Sequence, residues 1–206
     1  MIQSLFVAMA VAWLGAAETA LDRELATVPV GAWAVYEVTP VERVELPCCF
    51  DWSPEGSVHM QPSACRLSGH NARTSPARED PRSTRGDALR IYVRRAERGF
   101  DRVAALASSC PIDTEGAPVT RLERPTGAAS VAFLAAGLAV NAIKRLSHEV
   151  LAAIAHHRDA AATQVLLQLA KAGAPTERDA YFWLALRRGD EGFDAVRQAL
   201  ERSPSK

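Results

Sequence analysis

No complete catalytic signature occurs in this 206-residue sequence. There is no G-x-S-x-G to lift a nucleophile onto a strand-to-helix turn, and no Gly-rich phosphate loop or dinucleotide fingerprint. His148-Glu149 opens like the zinc-binding helix of a metalloprotease, but the second histidine would have to stand one turn on, where the chain has Ala152. C-x-x-C pairs are missing too, so Cys48, Cys49 and Cys65 with His59 or His70 match no zinc module. The sequence therefore points away from an enzyme, and no cofactor or metal is expected.

Net charge is also lacking. Lys+Arg and Asp+Glu number 24 each, so no overall field draws the chain to nucleic acid or to an acidic membrane, and nucleic acid is not an expected partner. Lysine is scarce, 3 residues against 21 arginines, a bias that a GC-rich bacterial genome would give. Long apolar runs are few. Residues 125–143 are uncharged over nineteen positions, close to the length that crosses a bilayer. Pro125, Thr126, Gly127, Ser130, Gly137 and Asn141 dilute the stretch, and much of the rest is alanine. It reads as a buried helix covering the open end of the helices that follow, and no membrane span is expected.

What is present begins with an export signal. Residues 5–14 are apolar and are followed by Gly15-Ala16-Ala17, small residues of the kind a signal peptidase cuts after, although the first six positions carry no Lys or Arg. The mature chain would start at Glu18 and be secreted or periplasmic. Four cysteines in an oxidising compartment predict two disulfides. Vicinal cysteines rarely bond each other, so Cys48 and Cys49 each take one of Cys65 and Cys110. The choice stays open, with Cys49–Cys65 and Cys48–Cys110 favoured.

Residues 31–38 read as a strand, and 41–46 continue its character as a candidate partner. No element is assigned to 18–29. Residues 53–88 lose apolar periodicity and form a long loop rich in Ser, Pro and Arg. Leu89, Ile91 and Val93 share one face of a strand, Glu97-Arg98-Gly99 turns, and 100–107 return as its partner. Residues 119–122 add a short edge strand. Arginines cluster from Arg73 to Arg102, mostly as a solvated loop and strand face. Arg124-Pro125-Thr126-Gly127 marks a boundary, after which the chain is helical. Thr176 with Asp179 predicts a capped helix whose buried stripe is Ala180, Phe182, Trp183 and Leu184.

Within 150–203 one helical pattern is written twice at an offset of thirty residues. Ile154 matches Leu184, Ala155 matches Ala185, Leu166 matches Val196, Leu169 matches Ala199 and Ala170 matches Leu200. The polar breaks correspond as well, His156-His157-Arg158-Asp159 and Arg187-Arg188-Gly189-Asp190, so each copy is helix, turn, helix. Residues 179–185, 188–192 and 196–200 resemble the short HEAT-like repeats of about thirty residues. That resemblance implies a stacked helical scaffold that binds proteins and has no shared catalytic residues.

The expected fold is α+β in three parts: a signal peptide at 1–17, a small disulfide-stapled antiparallel β domain at 18–124, and a short HEAT-like helical repeat array at 125–206. Two or three helix pairs are too few to bury their own faces, so the β part is expected to pack on them. The expected function is a non-enzymatic scaffold or adaptor for another exported or envelope protein. Candidate contact residues are Trp52, Arg90, Tyr92, Arg94, His156 and His157. The histidines close the first helix of the repeat, where a cationic side chain suits the dipole. An alternative is an envelope accessory factor whose Arg-rich face holds an anionic polymer or lipid, and an enzyme is the least favoured. Oligomeric state has no signature in the sequence.

Overall fold

Alternation of β-branched and aromatic residues builds a central sheet, and a 3.6-residue period builds the helices that cover it. The computed structural model describes residues 19–41, 48, 50–52, 60–62, 64–67, 88–140, 144–171 and 176–202. The expected signal peptide at 1–17, the candidate strand at 42–46, most of the 53–88 loop, Cys49, His59 and His70 lie outside them. In chain order the elements are α1 (Ala20–Ala26), β1 (Trp33–Val38), β2 (Phe50–Trp52), β3 (Met60–Pro62), β4 (Cys65–Arg66), β5 (Leu89–Arg95), β6 (Phe100–Ala107), β7 (Ile112–Asp113), β8 (Val119–Arg121), α2 (Gly127–Val140), α3 (Lys144–Ala155), α4 (Ala160–Lys171), α5 (Glu177–Arg187) and α6 (Gly189–Arg202).

The sheet runs β6–β5–β1–β8. β5 and β6 form the expected hairpin, with Ile91 opposite Ala105 and Val93 opposite Val103. Its turn closes through Ala96 N–H to Gly99 O at 3.1 Å, and Gly99 takes the positive φ of 63° that the return requires. The expectation of an antiparallel sheet is corrected at one edge. β8 pairs with β1 in parallel, Ala34 opposite Thr120, on the flank that β5 leaves open, and its direction is set by the route the chain takes from β6 to that flank. Residue 41 does not continue a strand partner for β1 either. Val41 donates its N–H to His156 O at 2.8 Å, and Arg158 N–H reaches Thr39 O at 3.0 Å. The end of β1 is thus stitched to the turn after α3.

The face carrying Ala34, Tyr36, Val38, Leu89, Ile91, Val93 and Val103 is buried. α2 lies against it, with Phe133 edge-on to Tyr36 at 6.4 Å between ring centroids and 5.1 Å from Phe100. α3 runs along β6, and α2, α4 and α5 pack on α3. One hydrophobic core therefore runs from the sheet into the helices, and the β part does pack on them. α3 also manages an exposed-edge problem. Glu149 accepts the Val103 N–H at 2.9 Å and pairs with Arg102 at 3.3 Å, which occupies part of the outer edge of β6. Among the described residues no helix is long and apolar enough to cross a membrane.

Two local outcomes differ from the sequence reading. Residues 20–26 form a helix that was not anticipated. Thr19 and Asp22 make a reciprocal capping box, Asp22 N–H to Thr19 Oγ1 at 3.1 Å and Thr19 N–H to Asp22 Oδ2 at 2.9 Å, and Leu21 and Leu25 are buried. Conversely, Thr176 precedes α5 without capping it: its φ and ψ are helical and its hydroxyl bonds no amide. Side-chain caps form instead at α2, where Thr126 Oγ1 accepts the Ala129 N–H at 3.2 Å, and at α4, where Asp159 Oδ1 accepts the Ala161 N–H at 2.9 Å.

The Cys48–Cys110 disulfide is present and closes a sequence separation of 62 residues. Cys65 is also disulfide-bonded, and no described cysteine is free.

Candidate functional site

Three of the candidate contact residues sit on β1's neighbour, β5, and are already engaged. Arg90 bonds Glu37 at 3.1 Å, and Arg121 meets the same carboxylate at 2.6 Å. Arg94 grips Asp101 with two bonds, 2.8 and 2.7 Å. Tyr92 is buried, and burial is the main cause that raises the pKa of its hydroxyl. Trp52 lies on β2 with its side chain outside what the structure describes. Glu37, Arg90, Tyr92 and Arg94 project from the sheet face opposite Tyr36 and Ile91, as strand alternation requires.

His156 and His157 are corrected as contact residues. They are 2% and 0% exposed, so no partner can reach them. Both do close α3, but not as cations. Each Nδ1 lies against a carbonyl of the last turn, Ala152 O at 2.7 Å for His156 and Ala153 O at 2.8 Å for His157. A carbonyl only accepts, so Nδ1 carries the hydrogen in both rings and Nε2 is the bare acceptor. Burial, reinforced by the neighbouring Arg187 and Arg188 at His156 and by Arg188 at His157, lowers both pKa values to about 4. At neutral pH the two rings are neutral.

From His157 a polar chain runs through the core. Ser130 on α2 stands 2.8 Å from His157 Nε2 and 3.0 Å from the Tyr36 hydroxyl on β1. Because Nε2 accepts, the Ser130 hydroxyl donates to it and must accept from Tyr36 O–H. The order of donors is thereby set from one end to the other: Tyr36 to Ser130 to His157 to Ala153 O. All three side chains are buried, and burial pushes the Tyr36 hydroxyl pKa up strongly against a smaller opposing pull from Ser130. A buried polar group without its partner costs about 1–3 kcal/mol, so the chain fixes how α2, α3 and β1 meet.

A serine donating to a histidine nitrogen is half of a nucleophile–base pair. Here Ser130 is 0% exposed, and the group behind the ring is a backbone carbonyl that cannot compensate an imidazolium charge as a carboxylate does. The arrangement holds elements together and offers no approach for a substrate. Among the described residues no group of three His, Cys, Asp or Glu is placed to hold a metal ion.

His156 faces the other way, toward α5. Its ring lies 5.6 Å from Trp183 in an edge-on arrangement, and the expected burial of Trp183 is met at 5% exposure. His156 Nε2 and Trp183 Nε1 are both buried and find no hydrogen-bond partner. Arg188 at the α5 end completes the closure of α3 by donating to Ile154 O at 3.2 Å. Sequence reasoning had these residues as a repeat turn and a cap. The Ser130 link was missed, although a lone serine in the apolar run 128–136 was a usable signal.

Among the described residues, four of the five exposed large apolar side chains are on the last two helices, the fifth being Val30 after α1. Phe182 and Leu186 on α5 are 53% and 49% exposed, and Phe193 and Leu200 on α6 are 64% and 70% exposed. Phe182 was expected in the buried stripe, but it stands on the side of α5 away from Ala180 and Leu184. α6 seats on α5 through Gly192, where a Cβ would overlap Leu184 O. Comparison of the chain with protein-family models, with curated proteins and with solved structures finds no match.

Proposed function

We propose that the chain is an exported, non-enzymatic binding protein whose C-terminal helices, stacked as HEAT-like pairs, dock another protein of the envelope or extracellular space. The observation that carries this reading is the concentration of exposed Phe182, Leu186, Phe193 and Leu200 on α5 and α6. Large apolar side chains left exposed on two neighbouring helices are a mark of an interaction surface when they adjoin. The paired α3–α4 and α5–α6 segments, separated by turns at His157–Asp159 and Arg188, support the repeat reading without requiring it. Binding of an anionic polymer is less favoured, because Arg90, Arg94 and Arg102 are each matched by a carboxylate.

The two readings separate by salt. The full chain is incubated with an envelope fraction of its source cell, and captured material is compared at low salt and at about 1 M salt, where the Debye length is about 3 Å. Capture that survives salt and is lost with Phe193→Asp and Leu200→Asp supports docking. Capture that collapses with salt and ignores both substitutions overturns it.

A further inference from the structure

We propose that the end of α3 is an acid-operated joint: proton uptake by His156 and His157 loosens the α5–α6 hairpin from α3 and α4 while the β5–β6 hairpin stays paired. The geometry supplies the argument. Both Nδ1 hydrogens are committed to consecutive carbonyls, Ala152 O and Ala153 O, so an added proton can only go to Nε2. At His157 that nitrogen is the acceptor at the end of a directed chain. Once it becomes a donor, it no longer accepts the Ser130 hydrogen, and one of the two hydroxyl hydrogens, that of Ser130 or that of Tyr36, loses its acceptor within the buried chain. At His156 the new N–H would be buried at an atom that has no hydrogen-bond partner, on a ring packed against Trp183, whose own Nε1 donor is buried and unpartnered.

The surrounding charges oppose relief. Arg187 and Arg188 at the end of α5 both face His156, and Arg188 also faces His157. Asp159, at the start of α4, is the acid that favours a charged His157, and it also serves Arg188 together with Glu191 of α6. β1 and α2 present only the uncharged Tyr36 and Ser130. On α3 itself His148 packs 6.0 Å from Trp183 and stands 3.8 Å from Asp179 of α5. Two cations on one buried ring, with no acid of its own, favour separation of α5 from α3 once that ring is charged.

The sign follows from linkage. A histidine with a folded pKa near 4 and an unfolded pKa near 6.5 leaves stability unaffected above pH 6.5 and subtracts from it as pH falls toward 4, because the unfolded state binds the proton more readily. At pH 5 each histidine reduces the folding equilibrium constant roughly 30-fold, and the two together by about three orders of magnitude.

The test uses the full oxidised chain without any partner, so it stands apart from the docking reading. Hydrogen exchange corrected for intrinsic rates is compared at pH 7.5 and pH 5 for the 176–202 and 89–107 segments, in the native chain and in His156→Gln with His157→Gln. Expected is a large loss of protection at 176–202 at pH 5 with protection kept at 89–107, the change being at least tenfold smaller in the double variant. Equal loss in both segments, or the same loss in the double variant, overturns the proposal. Should that variant fail to fold, NMR titration of the native imidazole signals decides. Both rings should stay neutral down to the pH at which the Trp183 indole signal moves, and either ring titrating near 6.5 in a chain with that signal unmoved overturns the proposal.

Discussion

Gly137→Ala should destabilise the protein, although glycine to alanine inside a helix ordinarily stabilises by about 1 kcal/mol. Gly137 lies within α2, and a Cβ built on it would overlap Phe100 Cζ and stand 2.7 and 2.9 Å from the two ε carbons of that ring. Carbon atoms pack at about 3.5–4.0 Å. The ring cannot simply retreat: Phe100 is 2% exposed and rests on Phe133, which itself meets Tyr36. Overpacking of this kind costs roughly 1–3 kcal/mol and occasionally more. So close an approach puts the cost at the upper end of that range, and set against the helix gain the net loss is about 2 kcal/mol, a fall in Tm of roughly 4–8 °C for a chain of this size. Thermal unfolding followed by far-UV circular dichroism measures it. Phe100→Leu shortens the opposing side chain, so the double variant should be more stable than the sum of the two single changes by at least 1 kcal/mol, as about expected for residues in contact. A Tm that rises in Gly137→Ala, or strict additivity in the pair, would refute the close approach of α2 to β6.

Two further outcomes bear on the core and its staple. Ser130→Ala strands both the Tyr36 hydroxyl and His157 Nε2, which lie 3.0 and 2.8 Å from the serine. It should cost about 2–4 kcal/mol, whereas Tyr36→Phe removes a donor together with its need for a partner and should cost about 1 kcal/mol. Urea midpoints that reverse this order would show that the chain does not run from Tyr36 to His157. Replacing Cys48 and Cys110 together by alanine frees a 62-residue separation in the unfolded chain. The loss should approach about 4 kcal/mol, seen as a lower urea midpoint that reductant no longer shifts as far as it shifts the native protein.

The elements that sequence announced are those built from local periodicity. Leu89, Ile91 and Val93 alternate, the Glu97-Arg98-Gly99 turn supplies a positive φ, and the hairpin follows from those residues alone. The helix boundaries near Gly127, Asp159 and Arg188 are legible for the same reason. Parallel pairing of β8 with β1 was not, because it depends on which flank of β1 is left open by β5 and on the direction from which the chain returns to it, facts of topology and not of pattern. α1 was missed because seven residues give too short a window for a period, and only Thr19 with Asp22 betrays it.

The histidines show a different kind of failure. Their place at the end of α3 agrees with the sequence reading, but their bonds to its last carbonyls were not part of it. The inference of positive charge rested on a helix end in solvent, where a cation gains from the dipole. In the fold that end abuts β1, α2 and α5, and desolvation outweighs the dipole: each ring keeps its carbonyl bond through Nδ1–H and gives up the charge. Whether a helix terminus is wet or buried is decided by what stacks on it. Here the deciding residues are Tyr36 and Ser130, 121 and 27 positions from His157, and Trp183, 27 positions from His156. Every one of them lies beyond the reach of a local pattern. A proton at either ring is therefore felt by elements far apart in the chain, β1 and α2 through the Ser130 link to His157 and α5 through Trp183 against His156.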